Sequence, residues 1–570
     1  MSEPNLILDV TDDSGAAIPF RADIHRANAA TERAWSDSGR AALSLKPGAV
    51  KLVVRRGINY DAAAAELDIP SSRDGGVVRK SFTLKRRFVP RELGWYGGEN
   101  HTHVLHDSSN APRTFADGAR MAAADGLDYI QLAYGWEPTF AWVPSVELDA
   151  QAQAASSDRV TVGWNIETPK CYMGRDHGGR DGNLHCYGHG WSVGLKDNTL
   201  GRDFFHTGPN FKIIQEINRQ GGIVGCAHPV RFWFTNGNFT SNWPSELPFD
   251  FVAGAPYAAV DILNDGQPLF FESERFWHTL LNLGYKVAGT GNSDGALANN
   301  AGLGRFRTYT HIGGGVGPFS WSALAENMKA GRNVASSGPF VLFDVEGELP
   351  GAEFPADGKV RRARIKAWSA PLPGETLTAV QLIRNGEAVR AWDLRSEKAR
   401  VWETQLELSD DEFAWYAVRV LSSCRDDETV ARFGASVCEL AVANPVYFLP
   451  KGFARPQPEP ARLTLAVADA ESKQPIAAKV SVIVASQPID TIDLKPAPEH
   501  AVTVPATATL RVTADGFTAT ERCLYLACPE LHEYCRNIGT VWPSFFTPEP
   551  YRELRRRLQN LHLTVELEEC

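Results

Sequence analysis

The stretch that decides the fold is Gly98-Glu99-Asn100-His101-Thr102-His103, which is entered from a strand-like segment. Side chains two positions apart on a β-strand point to the same face, so His101 and His103 aim their imidazoles at one point. Two imidazoles arranged in this way supply half of a metal site. The other half must come from carboxylates and histidines at the ends of later strands.

Further candidate ligands follow strand-like pieces of the same region. Glu167 ends the segment 162–167, His228 precedes Pro229, and Asp294 ends Gly291-Asn292-Ser293-Asp294. His189 lies between two glycines, and His177 and His185 compete with it for the same role. Histidines and carboxylates in this arrangement favour a centre for a divalent metal.

The composition is that of a globular protein with more than one domain, since the chain has 570 residues and a formal net charge of −10. Single hydrophobic cores rarely grow beyond about 250–300 residues. The acidic balance argues against a nucleic-acid partner, because nucleic-acid binding favours a basic surface. No apolar run is long enough to span a membrane, so we expect no membrane partner.

The N-terminal residues lack the charged and apolar regions of a signal peptide. We therefore expect a cytoplasmic protein, or a periplasmic or secreted one if a signal peptide has been removed. A homo-oligomer is compatible with this sequence. Among nine cysteines, Cys523, Cys528 and Cys535 form a cluster with His532, but without a C-x-x-C spacing. Buried free thiols or one disulfide are therefore expected there rather than a structural zinc.

The pattern along the chain predicts five segments. Residues 1–93 are predicted as an N-terminal β-sandwich, 94–340 as an α/β domain, 341–449 as a β-sandwich, 461–545 as a second copy of the N-terminal type, and 548–570 as a helix and tail. Helices are predicted over 115–125, 211–219, 272–283 and 321–330, with strand-like pieces between them. Alternating strands and helices favour a parallel sheet or barrel, with the site at the carboxyl ends of the strands.

Five strings in the α/β region occur in the order of one protein family. They are H-x-H at 101–103, G-x-x-x-E ending at 167, G-H at 188–189, A-H-P at 227–229 and G-x-S-D ending at 294. The segment 331–339 adds G-R-x-x-x-x-x-G-P. Together they resemble the PHP superfamily (the polymerase and histidinol phosphatase domain) and, within it, the CehA/McbA-like metallohydrolases. The resemblance covers about residues 94–340.

This resemblance implies a distorted seven-stranded β/α barrel, here flanked by β-sandwich domains, with a site for up to three metals. His101, His103, Glu167 and Asp294 would hold one ion. Glu167, His189 and His228 would hold a second, with Glu167 bridging the two. Two divalent ions are thus expected as cofactors, and mixed nitrogen and oxygen ligands suit zinc, manganese and iron alike. A solvent hydroxide shared between two ions is a nucleophile at neutral pH.

The chain departs from the family pattern at the third metal position. Where the family has Asp-His after the second strand, Ala133 is followed by Tyr134-Gly135-Trp136, and Ala296 replaces the histidine of D-x-H. We interpret this as a two-metal enzyme with an open third position. Tyr134 or residues 175–177 could take over the role of the third metal. Arg175 and His177 are therefore candidate catalytic groups beside Glu167.

The α/β region is rich in tryptophan, and core packing accounts for most of these side chains. Trp136 and Trp233 are the best placed to line a substrate pocket, together with Tyr134. The sequence therefore predicts a metal-dependent hydrolase that cleaves a carboxyl ester, carbamate or phosphoester in a small-molecule or glycan substrate. Two alternatives remain open: a carbohydrate-directed hydrolase or lyase, and a catalytically inactive protein that binds metal or glycan.

Overall fold

The computed structural model describes residues 3–27, 29–71, 76–104, 113–134, 142–168, 184–186, 188–207, 209–229, 231–235, 238–244, 246–264, 270–297, 303–313, 319–425, 438–538 and 547–570. For 184–186, 207, 231–235, 238–244, 270, 271 and 536 only the backbone is described. The chain divides into two compact units. The first comprises Met1–Glu167, Ala259–Glu274 and Val287–Phe453, and the second Thr168–Ala258, Arg275–Lys286 and Ala454–Cys570.

The first unit begins with seven strands in two sheets. These strands are β1 (Leu6–Asp12), β2 (Phe20–His25), β3 (Glu32–Ser36), β4 (Arg40–Leu43), β5 (Gly48–Arg55), β6 (Ala63–Ile69) and β7 (Val78–Leu84). The sheet orders are β4-β1-β7 and β3-β2-β5-β6. Apolar side chains that alternate along the strands, such as Leu8, Phe20 and Leu52, are buried in a common core. The pattern is that of strands with one face turned to a core.

Strands and helices alternate over the next 240 residues or so. A 3-10 turn (Pro90–Leu93) leads into β8 (Trp95–His103), α1 (Phe115–Ala124), β9 (Tyr129–Ala133), α2 (Ser145–Ala155), β10 (Thr161–Asn165), β11 (Leu184–Cys186), β12 (Gly190–Val193), α3 (Gly201–Thr207), α4 (Asn210–Arg219), β13 (Ile223–Cys226), β14 (Arg231–Thr235), β15 (Asn238–Pro244), α5 (Leu247–Ala253), β16 (Ala259–Asn264), α6 (Phe270–Asn282), β17 (Ala288–Asn292), β18 (Gly295–Ala296), β19 (Arg307–His311), α7 (Trp321–Lys329) and β20 (Asn333–Ser336). All four helices predicted from the sequence are present within a few residues of their expected bounds.

The remaining strands of the first unit extend one long sheet and form a smaller one. They are β21 (Phe340–Val345), β22 (Glu353–Pro355), β23 (Arg361–Trp368), β24 (Leu377–Arg384), β25 (Glu387–Asp393), β26 (Val401–Leu408), β27 (Ala414–Ser423) and β28 (Cys438–Leu449). The long sheet runs β10-β9-β8-β19-β20-β28-β27-β24-β25, and the small one runs β21-β23-β26. Strands β8, β9 and β10 are parallel, so their carboxyl ends lie at one edge. In the described strands this sheet ends at β10 and β25 rather than closing on itself.

The second unit closes the chain with β29 (Pro460–Asp469), β30 (Ala478–Val484), β31 (Gln487–Leu494), β32 (His500–Pro505), β33 (Thr509–Thr513), β34 (Thr520–Cys523), α8 (Leu524–Ala527), α9 (Pro529–Ile538), α10 (Glu549–Leu558) and β35 (Leu561–Leu567). Its sheets, β32-β29-β35 and β31-β30-β33-β34, repeat the strand order of the N-terminal pair. A helix and tail were expected over 548–570. The structure shows α10 followed by β35, whose alternate residues are buried because it pairs in parallel with β29.

The architecture is thus β-rich and multidomain, with several sheets and few helices among the described residues. None of these helices is both long and apolar enough to cross a membrane. The described cysteine side chains, which include Cys523, Cys528 and Cys535, are free thiols. Free thiols are one of the two outcomes that the spacing of that cluster predicted.

Candidate metal centre

The H-x-H stretch forms the carboxyl-terminal end of β8, where both imidazoles are fully buried. Strand β18 pairs in parallel with this end, and the pairing matches Gly295 with Thr102 and Ala296 with His103. The pairing therefore brings Asp294, the residue before β18, to the two histidines. Glu167 follows β10 by two residues, at the edge where the parallel strands β8, β9 and β10 all end.

Four predicted ligands of the first ion come together in this way. Nε2 of His101 lies 3.3 Å from both Oε1 of Glu167 and Oδ1 of Asp294. Nε2 of His103 lies 3.3 Å from Oε2 of Glu167 and 3.2 Å from Oδ1 of Asp294. The four side chains offer ligand atoms that all lie within 4.8 Å of one another. All four side chains are at most 2% exposed.

The electrostatics of the cluster fit a divalent cation. With neutral imidazoles, the two carboxylates leave a net charge of about −2 in a buried place, which is costly unless a cation compensates it. Burial opposes the charged form of His101, but Asp294 and Glu167 outweigh burial and raise its pKa. Burial lowers the pKa of His103 to about 4, which keeps this imidazole neutral and able to donate a lone pair to a metal. Two imidazoles and two carboxylates form a donor set that zinc, manganese and iron all accept.

Backbone geometry also marks the predicted ligands. Asp294 has φ of 50° and His228 has φ of 29°, both in the left-handed region. Residues other than glycine adopt such angles at a cost and keep them where the surrounding structure enforces them, often at functional sites.

The second pair of histidines lies in the second unit. His189 precedes β12 and His228 follows β13, and these two strands are antiparallel, so the two residues are neighbours. Their ring centroids are 5.2 Å apart, and both side chains are buried. The backbone amide of Ala227 donates to the carbonyl of His189 over 2.9 Å. These contacts hold the two imidazoles side by side, as two ligands of one metal ion must be.

A buried hydrogen-bond network behind the first cluster was not predicted from the sequence. Oδ1 of Asn292 accepts from the backbone amide of Asn100 (2.7 Å) and from its side chain (3.1 Å), and Nδ2 of Asn292 donates to Oδ1 of Asp261 (2.6 Å). Glu99 accepts from the amides of Ser293 (2.6 Å) and Gly304 (3.0 Å). Burial raises the pKa of Glu99 to about 7. These bonds fix the residues beside His101 and Asp294.

The remaining candidate residues differ in how much of each the structure describes. Tyr134 follows β9, at the edge where β8 and β10 also end, and is partly buried. Trp136, Arg175 and His177 lie outside the described residues. Trp233 lies on β14, of which only the backbone is described. Their roles in substrate binding and catalysis stay predictions.

No protein-family model matches the chain, and no curated protein matches it in sequence. Among solved structures, it is similar to a two-domain protein from Bacteroides vulgatus that contains a predicted PHP-like metal-dependent phosphoesterase. The identity is 13% and the TM-score 0.32, over 57% of this chain and 91% of that one.

Two further similar structures are a pilin subunit and an adhesin. The major pilin subunit of Bacillus cereus matches at 9% identity and a TM-score of 0.14, over 41% of this chain and 72% of that one. A bacterial adhesin from Mobiluncus mulieris matches at 12% identity and a TM-score of 0.13, over 41% of this chain and 99% of that one. Likenesses this weak assign neither family nor function, so the functional argument rests on the residues of this chain.

Proposed function

We propose that this protein is a metal-dependent hydrolase of the PHP type, similar to the CehA/McbA-like group, that cleaves an ester-type bond. The observation that carries the proposal is the convergence of His101, His103, Glu167 and Asp294 in a buried cluster with excess negative charge. A purely structural cluster of this kind would bury uncompensated carboxylates at a cost of several kcal/mol. A divalent ion removes that cost and gives the cluster a chemical use.

We assign the first ion to these four residues and a second ion to His189 and His228, with Glu167 in the bridging role that the resemblance implies. Closure of β8, β9, β10 and the strands that follow into a distorted barrel belongs to the same proposal. Divalent ions bound there would polarise the attacked oxygen and make a solvent nucleophile available at neutral pH. The chain's own part is to hold the imidazole of His103 neutral, to fix the residues beside His101 and Asp294 through the hydrogen bonds of Asn292 and Glu99, and to exclude bulk water by burial.

The open third position makes the region after β9 the place where the substrate would be recognised. The family ligands Asp-His are replaced there by Tyr134 and Gly135, which offer neither a carboxylate nor an imidazole to hold a third ion. A neutral hydroxyl such as that of Tyr134 can donate to a leaving group or to a substrate oxygen. We therefore propose that Tyr134 contacts the substrate, with Trp136, Trp233, Arg175 and His177 as further candidates.

The substrate class is tested with metal-loaded protein on aryl carboxyl esters, aryl carbamates, aryl phosphate monoesters and diesters, and aryl glycosides. We expect turnover of one ester-type class, and a loss of at least about a hundredfold in kcat/KM for His101→Ala, because metal assistance supplies several kcal/mol. Asp344→Asn is the matched control, since Asp344 lies on β21 and pairs with Arg364. Turnover of glycosides alone would replace this proposal, and full activity of His101→Ala would refute it.

A further inference from the structure

Strand β16 ends in a buried polar side chain, that of Asn264. This residue is the last of the strand and is fully buried. Neither Oδ1 nor Nδ2 of its carboxamide has a hydrogen-bond partner among the described residues. Buried polar groups in folded proteins are nearly always paired, because a buried amide without a partner lowers the stability of the fold. A carboxamide kept in this state calls for a use other than packing.

The strand pairing fixes the face of the sheet on which this carboxamide lies. Strands β16 and β17 are parallel, and their register matches Asn264 with Asn292, so both side chains point to one face. An irregularity between Asp261 and Leu263 adds one residue to β16 and brings Asp261 to that face as well. The carboxylate of Asp261 accordingly accepts from Nδ2 of Asn292 over 2.6 Å and from Oγ1 of Thr290 over 2.9 Å.

This face of the sheet lies towards the proposed metal centre. Asn292 accepts from the backbone amide of Asn100, the residue before His101, over 2.7 Å. Two residues after Asn292 the chain reaches Asp294. Burial opposes the charged form of His101, but the carboxylates of Asp294 and Asp261, among others, raise its pKa. The asparagine that ends β16 therefore lies beside the strand that leads to the first proposed ion.

Only a group that enters the centre itself can reach this carboxamide. Asn264 is as buried as His101 and His103, each of which has an exposed fraction of 0%. A substrate that reached the proposed ions would bring its scissile group to this depth and leave its periphery outside. A carboxamide is neutral and does not exchange protons as an acid or base, so its chemical use there is to donate or accept hydrogen bonds.

We propose that Nδ2 of Asn264 donates a hydrogen bond to the oxygen of the scissile group on which charge develops, an inference that rests on the proposed hydrolase function. That oxygen becomes more negative when an ester-type bond is attacked, and a donor fixed in a buried place stabilises it. A donor without other partners breaks no hydrogen bond when the charge appears. Asn264 is then a catalytic residue in addition to the proposed metal ligands.

The test is Asn264→Leu in the full-length, metal-loaded protein, because leucine has nearly the size of asparagine and no hydrogen-bonding group. We expect unchanged metal content and a midpoint of thermal unfolding no lower than that of the wild type, since no hydrogen bond of the described fold is lost. On the aryl carboxyl ester, carbamate or phosphoester that the wild type cleaves, kcat should fall by about a hundredfold with little change in KM.

Asn333→Leu is the matched control. Asn333 is equally buried, but it accepts from Oγ1 of Thr310 over 2.7 Å and donates to the carbonyl of Met328 over 2.9 Å. The same substitution should therefore lower the unfolding midpoint at this position and leave kcat unchanged. A structural asparagine and a catalytic one thus give opposite results in the two measurements.

Wild-type kcat in Asn264→Leu would overturn the proposal, as would a fall in its unfolding midpoint as large as that of Asn333→Leu, or a loss of metal. Asn264→Ala removes the carboxamide without adding bulk and decides the kinetic question if the leucine variant fails to fold. Absence of turnover by the metal-loaded wild type would refute the proposed hydrolase function and this inference with it. Turnover by the wild type together with an unaffected variant would refute only the role of Asn264.

Discussion

Asn292→Ala tests most directly how the proposed metal centre is held in position. Asn292 is fully buried at the end of β17, and its side chain joins this strand to β8 and β16. Truncation removes an acceptor for the amide and side chain of Asn100, at 2.7 and 3.1 Å, and a donor to Asp261 at 2.6 Å. The partner groups stay buried, so they lose these hydrogen bonds without gaining water in return.

The expected cost follows from these three bonds. Two neutral hydrogen bonds contribute about 1 kcal/mol each, and the bond to a carboxylate about 1.5–3 kcal/mol. Their sum predicts a loss of about 4 kcal/mol in the free energy of unfolding. Because Asn100 is next to His101, we also expect metal affinity to fall by about tenfold, as is typical when groups that orient ligands are removed.

The assay has two parts. Unfolding in guanidinium gives the free energy of unfolding, and a metal titration of the folded protein gives the metal affinity. Asn333→Ala is the matched control: Asn333 is equally buried, accepts from Thr310 over 2.7 Å and donates to the carbonyl of Met328 over 2.9 Å. This control should lose about 2 kcal/mol of stability and keep its metal affinity. A loss below about 1 kcal/mol for Asn292→Ala, or an equal loss of metal affinity in both variants, would refute the reasoning.

Two further predictions concern the second unit. Burial raises the pKa values of Glu246 and Asp250, so the folded protein keeps protons that the unfolded chain releases above about pH 4.5. The unfolding free energy of the wild type should therefore fall as pH rises above this value, by up to about 1.4 kcal/mol per pH unit for each group, and Glu246→Gln should remove one group's share. Unfolding titrations of both proteins from pH 5 to 8 check this. The same dependence of unfolding free energy on pH in Glu246→Gln and in the wild type would contradict it. Gly225→Ala would place a Cβ atom 2.1 Å from the ring of the buried Trp191, so we expect a loss of about 1–3 kcal/mol in thermal unfolding. Trp191→Phe should recover part of that loss, and stability equal to the wild type in Gly225→Ala would show the contact to be loose.

Local signals in the sequence were sufficient for much of the fold. Asn385-Gly386 predicts a hairpin, and the structure shows it between β24 and β25 with φ of 51° and 96° at the two turn residues. The helix α1 begins where Thr114 and Asp117 form a capping box, so its start can be read from residue types. The order of the ligand strings likewise led to residues that the structure brings together around His101.

Long-range pairing was not predictable in the same way. The sheet that joins β20 to β28 brings together residues about a hundred positions apart, and no local pattern specifies such a partner. Strand β35 pairs with β29, but in the described chain three helices separate it from the preceding strand β34. The sequence pattern therefore did not identify β35 as part of the second copy of the N-terminal sheets. The Asn292 network could not be predicted, because the sequence does not show which distant residues an isolated polar side chain inside a strand will contact.

The measurement that tests the central claim most directly is the metal content of the full-length protein after loading and desalting. We compare the wild type with Asp294→Asn, and with Asp344→Asn as the control on β21. The account predicts at least about one equivalent of divalent metal in the wild type and in the control, and a clear loss in Asp294→Asn with the fold retained. Equal metal content in Asp294→Asn and the wild type, or no retained metal in either, would contradict it.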